Sequence, residues 1–142
     1  MKLNLFRFLV LVTVALILGS TVYAQAVNVR AKVPFNFVLD DKVYPAGEYV
    51  VQSVWDDSYS VFINNKYAKT SALTLAYPSR SVKPAEKTML VFHRVGKTYF
   101  LSEVWSEGAR VGRQLPMGRT EIRMASNGTK TDTTIITASI NQ

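Results

Sequence analysis

The single histidine of this chain limits the catalytic chemistry that its sequence can offer. His93 would be the general base, and Glu103 on the following predicted strand is a carboxylate that could orient it. A hairpin that turns at 94–97 places His93 opposite Lys97 or Thr98, so Glu103 lies roughly 17–20 Å away at about 3.3 Å per residue. A base and its orienting group must lie within about 3 Å. The pattern therefore excludes this dyad, and we interpret His93 as a structural residue near a turn.

Other reaction chemistries lack their residues as well. The chain has one histidine and no cysteine, which excludes metal centres built from several histidine or cysteine ligands. The adjacent carboxylates Asp40-Asp41 and Asp56-Asp57 lack the alternate spacing of a calcium loop, and we interpret them as turn residues. No serine lies in a nucleophile elbow, and no glycine-rich phosphate loop is present. We predict no enzymatic activity, no metal and no cofactor.

Arginines form the best candidate for a binding patch. Arg110, Arg113, Arg119 and Arg123 fall within a short segment whose one acid is Glu121. Guanidinium groups suit phosphates and carboxylates. We predict that these side chains contact an anionic polymer or a protein partner, with a solvated basic face as the alternative.

Two tryptophans are the candidates for ligand stacking. Trp55 and Trp105 fall at or near predicted strand ends. Exposed rings there could stack on sugars or border a lipid-sized cavity, whereas packing in the core is the alternative for aromatic residues at strand spacing.

The first 24 residues have the features of a signal peptide. Lys2 and Arg7 precede an apolar run at 8–18, and small residues lead to Ala24. The apolar run is about half of the roughly 20 residues that a spanning helix needs, which disfavours a membrane anchor. We predict cleavage of 1–24 and export to the periplasm or the medium. That location disfavours nucleic acid as a partner and leaves only peripheral membrane contact.

The remaining residues, 25–142, are predicted to form one β-rich domain. Residues 27–39 alternate between apolar and polar side chains, as a half-buried strand does, and Pro34 predicts an edge, a bend or a bulge there. Residues 88–93 and 98–105 are apolar on both faces, which predicts central strands. About seven strands with turn residues between them predict an antiparallel β-sandwich or a small barrel.

One segment near the C-terminus has two interpretations. Residues 120–125 could form a short helix that ends near Asn127-Gly128, or one arm of a hairpin that turns there. We favour the helix, and 133–140 is the predicted last strand.

Several short motifs resemble a group of small, uncharacterised secreted proteins of soil bacteria. They are Val33-Pro34-Phe35-Asn36-Phe37, Pro45-Ala46-Gly47-Glu48-Tyr49, the run at 90–94 with 99–101 and 104–105, and Gly112-Arg113-Gln114-Leu115-Pro116. The group has a serine where this chain has Gly118, at the predicted start of the helix. The resemblance implies an exported β-rich fold and brings no known activity.

The formal charge of +7 falls to +5 when Lys2 and Arg7 are removed, which suits contact with anionic surfaces. The sequence therefore favours an exported, non-catalytic domain with a structural, partner-binding or polymer-binding role at the bacterial envelope. The alternative is a small barrel that carries an apolar or lipid-like ligand.

Overall fold

The computed structural model describes residues 28–54 and 59–140, which form two packed β-sheets and one short helix. The first sheet has the strand order β12-β1-β4-β5-β6, and every pair in it is antiparallel. Its strands are β1 (Asn28–Val33), β4 (Gly47–Ser53), β5 (Ser60–Asn65), β6 (Thr70–Leu75) and β12 (Ser139–Ile140). The predicted signal peptide lies outside the described residues.

The second sheet has the order β11-β8-β9-β10-β7, with β2 and β3 joined to it at β9. Its strands are β2 (Phe37–Leu39), β3 (Lys42–Tyr44), β7 (Tyr77–Arg80), β8 (Met89–Val95), β9 (Thr98–Trp105), β10 (Val111–Gln114) and β11 (Thr131–Thr137). All of its pairs are antiparallel except β2 with β9, which run parallel. The predicted central strands are confirmed, because β8 and β9 each have neighbours on both sides.

The alternating segment at the start of the domain divides at Pro34 between the two sheets. Val29, Ala31 and Val33 are buried, while Arg30 and Lys32 point outward, as the pattern predicts. Beyond Pro34 the chain crosses to the second sheet, where β2 pairs with β3 and β9. A residue without a backbone N–H is suited to this break between ladders.

Apolar side chains from both sheets make one core. The first sheet supplies Tyr49, Val51 and Ile63, and the second supplies Leu90 and Phe92, all essentially inaccessible to solvent. The all-β sandwich is therefore confirmed. The sheets do not close into a barrel, because β6 and β12 end one sheet and β7 and β11 end the other along its main path.

Two details differ from the sequence prediction. The domain has more and shorter strands than the seven expected, since segments such as 27–39 divide between sheets. The hairpin of β8 and β9 turns at Gly96-Lys97, with Val95 opposite Thr98, because Gly96 adopts a positive φ of 63°. His93 therefore lies opposite Phe100, and the predicted pairing with Lys97 or Thr98 is wrong.

The predicted helix is confirmed as α1 (Arg119–Ser126), with Asn127 as its C-cap and Gly128 at a positive φ of 75° just beyond. Its N-cap is Gly118, which has no side chain to bind the first free N–H groups. Asp41 performs that task from the turn between β2 and β3: its Oδ1 accepts from the Thr120 N–H at 2.8 Å and its Oδ2 from the Arg119 N–H at 3.2 Å.

Gly118 also leaves room for that contact, since a Cβ there would lie 2.8 Å from Asp41 Oδ1. The helix start at Gly118 is thus capped by a carboxylate from a distant turn. The Thr120 N–H is the largest of the contacts that lower the pKa of Asp41, followed by the Thr120 hydroxyl.

Candidate functional site

The face of the second sheet that points away from the core, here called the outer face, carries the candidate site. On β8, Leu90 and Phe92 enter the core, so Val91, His93 and Val95 lie on the outer face. Cross-strand neighbours share a face, so the side chains of Ile135 and Phe100 lie there too. One end of this face is covered by α1, and the other end is open and bordered by a loop at 81–87.

The covered end is a small second core. Val38, Val95 and Phe100 are buried there, and Met124 of α1 packs against them. Glu121 is the one residue of the helix that is buried, with its side chain 4% exposed. An acid so deeply buried requires a polar partner.

His93 is that partner, and Ser102 completes a chain of three polar side chains, here called the polar chain. His93 Nδ1 lies 2.8 Å from Glu121 Oε1, and Ser102 Oγ lies 3.1 Å from His93 Nε2. With the proton of the imidazole on Nδ1 and donated to the carboxylate, Nε2 accepts from the Ser102 hydroxyl.

A β-bulge places Ser102 in this chain. Val91 lies opposite Glu103 and Phe92 opposite Leu101, so Ser102 has no residue directly across from it on β8. The inserted residue changes which side chains of β9 face outward, and Ser102 therefore reaches His93. The residue pairs on either side of the bulge still lie opposite each other. The sequence pattern alone does not indicate this bulge.

The polar chain can do two things. A serine that donates to an imidazole, whose other nitrogen donates to a carboxylate, is the arrangement of a base-activated nucleophile. The same bonds also fasten α1 to the sheet, because they satisfy a buried carboxylate on the helix. Ser102 is only 5% exposed, and the side chain of His93 is 30% exposed.

Sequence reasoning tested His93 only against Glu103 and missed Glu121, which is 28 positions away. The sequence contained one signal that Glu121 would be buried. Glu121, Met124 and Ala125 share a helix face at spacings of three and four residues, so a helix that buries Met124 must also bury Glu121.

The open end of the outer face forms a groove of about 590 Å³ beneath the 81–87 loop. Its floor and walls combine apolar residues of three strands with the loop: Met89, Val91, Trp105, Ile135, Pro84 and Ala85. Glu103, Lys83, Glu86 and Lys87 also line it. Grooves of this size, mostly apolar with a few polar groups, are typical of sites for small ligands.

Trp105 is held in place within the groove. Its ring lies against Gly112, where an added Cβ would meet the ring atoms at 2.6–2.8 Å. Its Nε1 donates to Glu103 Oε2 at 2.8 Å. The ring is 7% exposed, so it forms part of a wall rather than projecting into solvent.

The four candidate arginines do not lie on one surface. Arg113 lies opposite Val104, a core residue, and so shares the core-facing side of its sheet, with a buried Nε that has no hydrogen-bond partner. Arg119 and Arg123 are exposed on α1, which covers the opposite face. Arg110 is exposed in the turn before β10. Trp55 lies outside the described residues.

No group of three or more His, Cys, Asp or Glu side chains within 28–54 and 59–140 is placed to hold a metal ion. In the same residues, no helix has the length and hydropathy needed to cross a membrane. No protein-family model matches the chain, and no similar chain was found among curated proteins or solved structures.

Proposed function

We propose that the mature chain is an exported, non-catalytic binding domain of the bacterial envelope, and that it holds an apolar or lipid-like ligand in the groove on the outer face. The observation that carries this proposal is the groove itself, an apolar cleft of about 590 Å³ bordered by the fixed ring of Trp105. The interior between the sheets is filled by side chains, so a groove on the surface takes the place of a barrel lumen.

The arrangement also favours the groove over the arginines as the contact region. Arg113 faces the core side of its sheet, whereas Arg119 and Arg123 lie beyond the opposite face, so a single polymer strand would not meet all of them at one surface. The groove, in contrast, brings three strands and one loop to the same cavity.

Binding of the neutral apolar dye Nile red tests the proposal. The native protein should raise the fluorescence of the dye, and Ile135→Lys should weaken binding by about tenfold or more, because it puts a charge beside the apolar floor. Ile135 is 56% exposed, so the lysine is tolerated by the fold. Val43→Lys is the matched control, since Val43 is 69% exposed on β3 and lies outside the groove. Equal binding by both variants would contradict a ligand site in the groove.

A second function, serine-dependent hydrolysis, is favoured by the distances within the polar chain. In such a reaction the Ser102 oxygen would attack an electrophile while His93 accepts the hydroxyl proton. A fluorophosphonate probe tests it directly: the serine oxygen displaces fluoride from phosphorus, and the protein gains the mass of the phosphonyl group. Labelling of the native chain that is lost in Ser102→Ala would establish the nucleophile. A native chain that stays unlabelled would leave binding as the function.

A further inference from the structure

Glu103 is the polar feature of the groove that indicates the chemistry of a ligand. It is half-buried and lies opposite Val91 on the outer face. Its Oε2 accepts from Trp105 Nε1 at 2.8 Å, and its Oε1 has a long contact of 3.5 Å with the Ser79 hydroxyl. These neutral donors orient the carboxylate, but neither compensates its negative charge.

No basic side chain of the described residues lies within 4.0 Å of Glu103. Within these residues the salt bridges are Arg30 with Glu48 and Lys130 with Asp132, and His93 Nδ1 lies 2.8 Å from Glu121 Oε1. The other two carboxylates of the described residues that are buried or half-buried in a sheet or helix each have a nitrogen-bearing partner: Glu48 pairs with Arg30, and Glu121 bonds to His93. Glu103 therefore faces the groove as an oriented charge without a counter-ion, in a chain of net positive charge.

Lys83 and Lys87 also line the groove, but they differ from Glu103 in how they are held. Both are exposed on the loop, and within 28–54 and 59–140 no hydrogen bond or ion pair fixes either ammonium group. Exposed ammonium groups stay hydrated and are screened by salt, whereas a carboxylate fixed beside an apolar floor interacts more strongly with a ligand charge.

We propose that the ligand is a cationic amphiphile, in which an ammonium group binds Glu103 and the attached apolar chain lies along Met89, Val91 and Ile135. This inference rests on the proposed binding function of the groove. The bond between an ammonium group and a carboxylate is charge-assisted, and it supplies the counter-ion that the protein lacks at this position. The adjoining ring of Trp105 adds an aromatic surface suited to a cation.

The test compares three amphiphiles with the same dodecyl chain and different heads: dodecyltrimethylammonium, dodecyl maltoside and dodecyl sulfate. Isothermal titration calorimetry on the native protein, below the micelle concentration of each, gives the three affinities. We expect the cationic amphiphile to bind about tenfold or more tightly than the neutral one at low salt, with the difference shrinking as salt is added. Equal affinities, or a preference for the sulfate, would overturn the inference.

Two variants locate the effect. Glu103→Gln keeps the shape and an acceptor for Trp105 Nε1, so it should remove the preference for the cationic head over the maltoside head. Glu107→Gln is the control, because it removes the same charge from an exposed acid outside the groove. If Glu103→Gln keeps the full preference, Glu103 is not the site. If dodecyltrimethylammonium and dodecyl maltoside bind with equal affinity, the binding function stands and the inference about the cation fails. If none of the three amphiphiles binds, both the binding function and the inference are contradicted.

Discussion

The two ends of the outer face show how one sheet surface can be closed or left open. At one end, α1 seals Val38, Val95 and Phe100 and buries Glu121 against His93. At the other end, the 81–87 loop lines a groove together with Trp105 and Val91. Both ends are apolar, yet only the first has its buried carboxylate paired within the chain. The comparison leads us to expect that the closed end contributes to stability, and the open end is where we propose binding.

The largest expected effect comes from breaking the closed end. Glu121→Ala removes the partner of His93 and leaves a void under α1, so we expect the free energy of unfolding to fall by about 2–3 kcal/mol. Urea denaturation measures this loss. Ile135→Lys at the open end should change the same quantity by no more than about 0.5 kcal/mol. A reversed order of the two variants would contradict the division of roles.

Gly112→Ala perturbs the open end from beneath. The new Cβ would meet the Trp105 ring at 2.6–2.8 Å, so the ring must shift, at a cost of about 1–3 kcal/mol in stability. In a Trp55→Phe background the fluorescence reports Trp105 alone, and we expect a changed emission maximum together with weaker Nile red binding. An unchanged spectrum would show that the ring is not held against Gly112.

Ser102→Ala separates the two ends of the polar chain. It removes the hydrogen bond to His93 Nε2 and retains the one between His93 and Glu121. Because His93 is partly exposed, water can replace the lost donor, and we expect a loss of about 0.5–1 kcal/mol. The measurement is the urea midpoint beside that of Glu121→Ala. Equal losses would contradict the smaller role expected for Ser102, because they would mean that its hydrogen bond to His93 contributes as much as the carboxylate does.

The smallest effect concerns the cap of α1. The folded state lowers the pKa of Asp41, so the ionised carboxylate stabilises the protein above the pKa of the unfolded chain. That stability is lost as the pH falls through the lower pKa of the folded state. Asp41→Asn should therefore lower Tm slightly near neutral pH, and the difference from the native protein should vanish in acid. A difference in Tm that is independent of pH would assign the role of Asp41 to the turn.

Local sequence patterns predicted where strands and the helix occur better than they predicted which segments pair or contact each other. Alternation revealed β1, and apolar content on both faces revealed β8 and β9. The turn after β5 depends on a side chain: Asn65 ends the strand, and its Oδ1 accepts from the N–H groups of Tyr67 and Ala68. The backbone then turns through 66–69, with Lys69 at a positive φ of 50°.

The contacts that build the site could not be predicted from any short stretch of the sequence. The bond of Glu121 to His93 requires α1 to dock on β8, and the placement of Ser102 requires a bulge in β9. The groove requires the 81–87 loop to lie beside three strands that follow it in the chain, β8, β9 and the much later β11. Trp105 was predicted as a candidate from its position at a strand end, whereas Glu103 was considered only as a partner for His93.

The pairing of β1 with β12 has a consequence for the order of events in folding. Val29 lies opposite Ile140, so the first sheet is complete only when residues from both ends of the domain are present. The parallel pairing of β2 with β9 likewise joins segments about sixty residues apart, and contacts of such long range slow folding. The first sheet therefore cannot be completed until β12, the last described strand, has paired with β1.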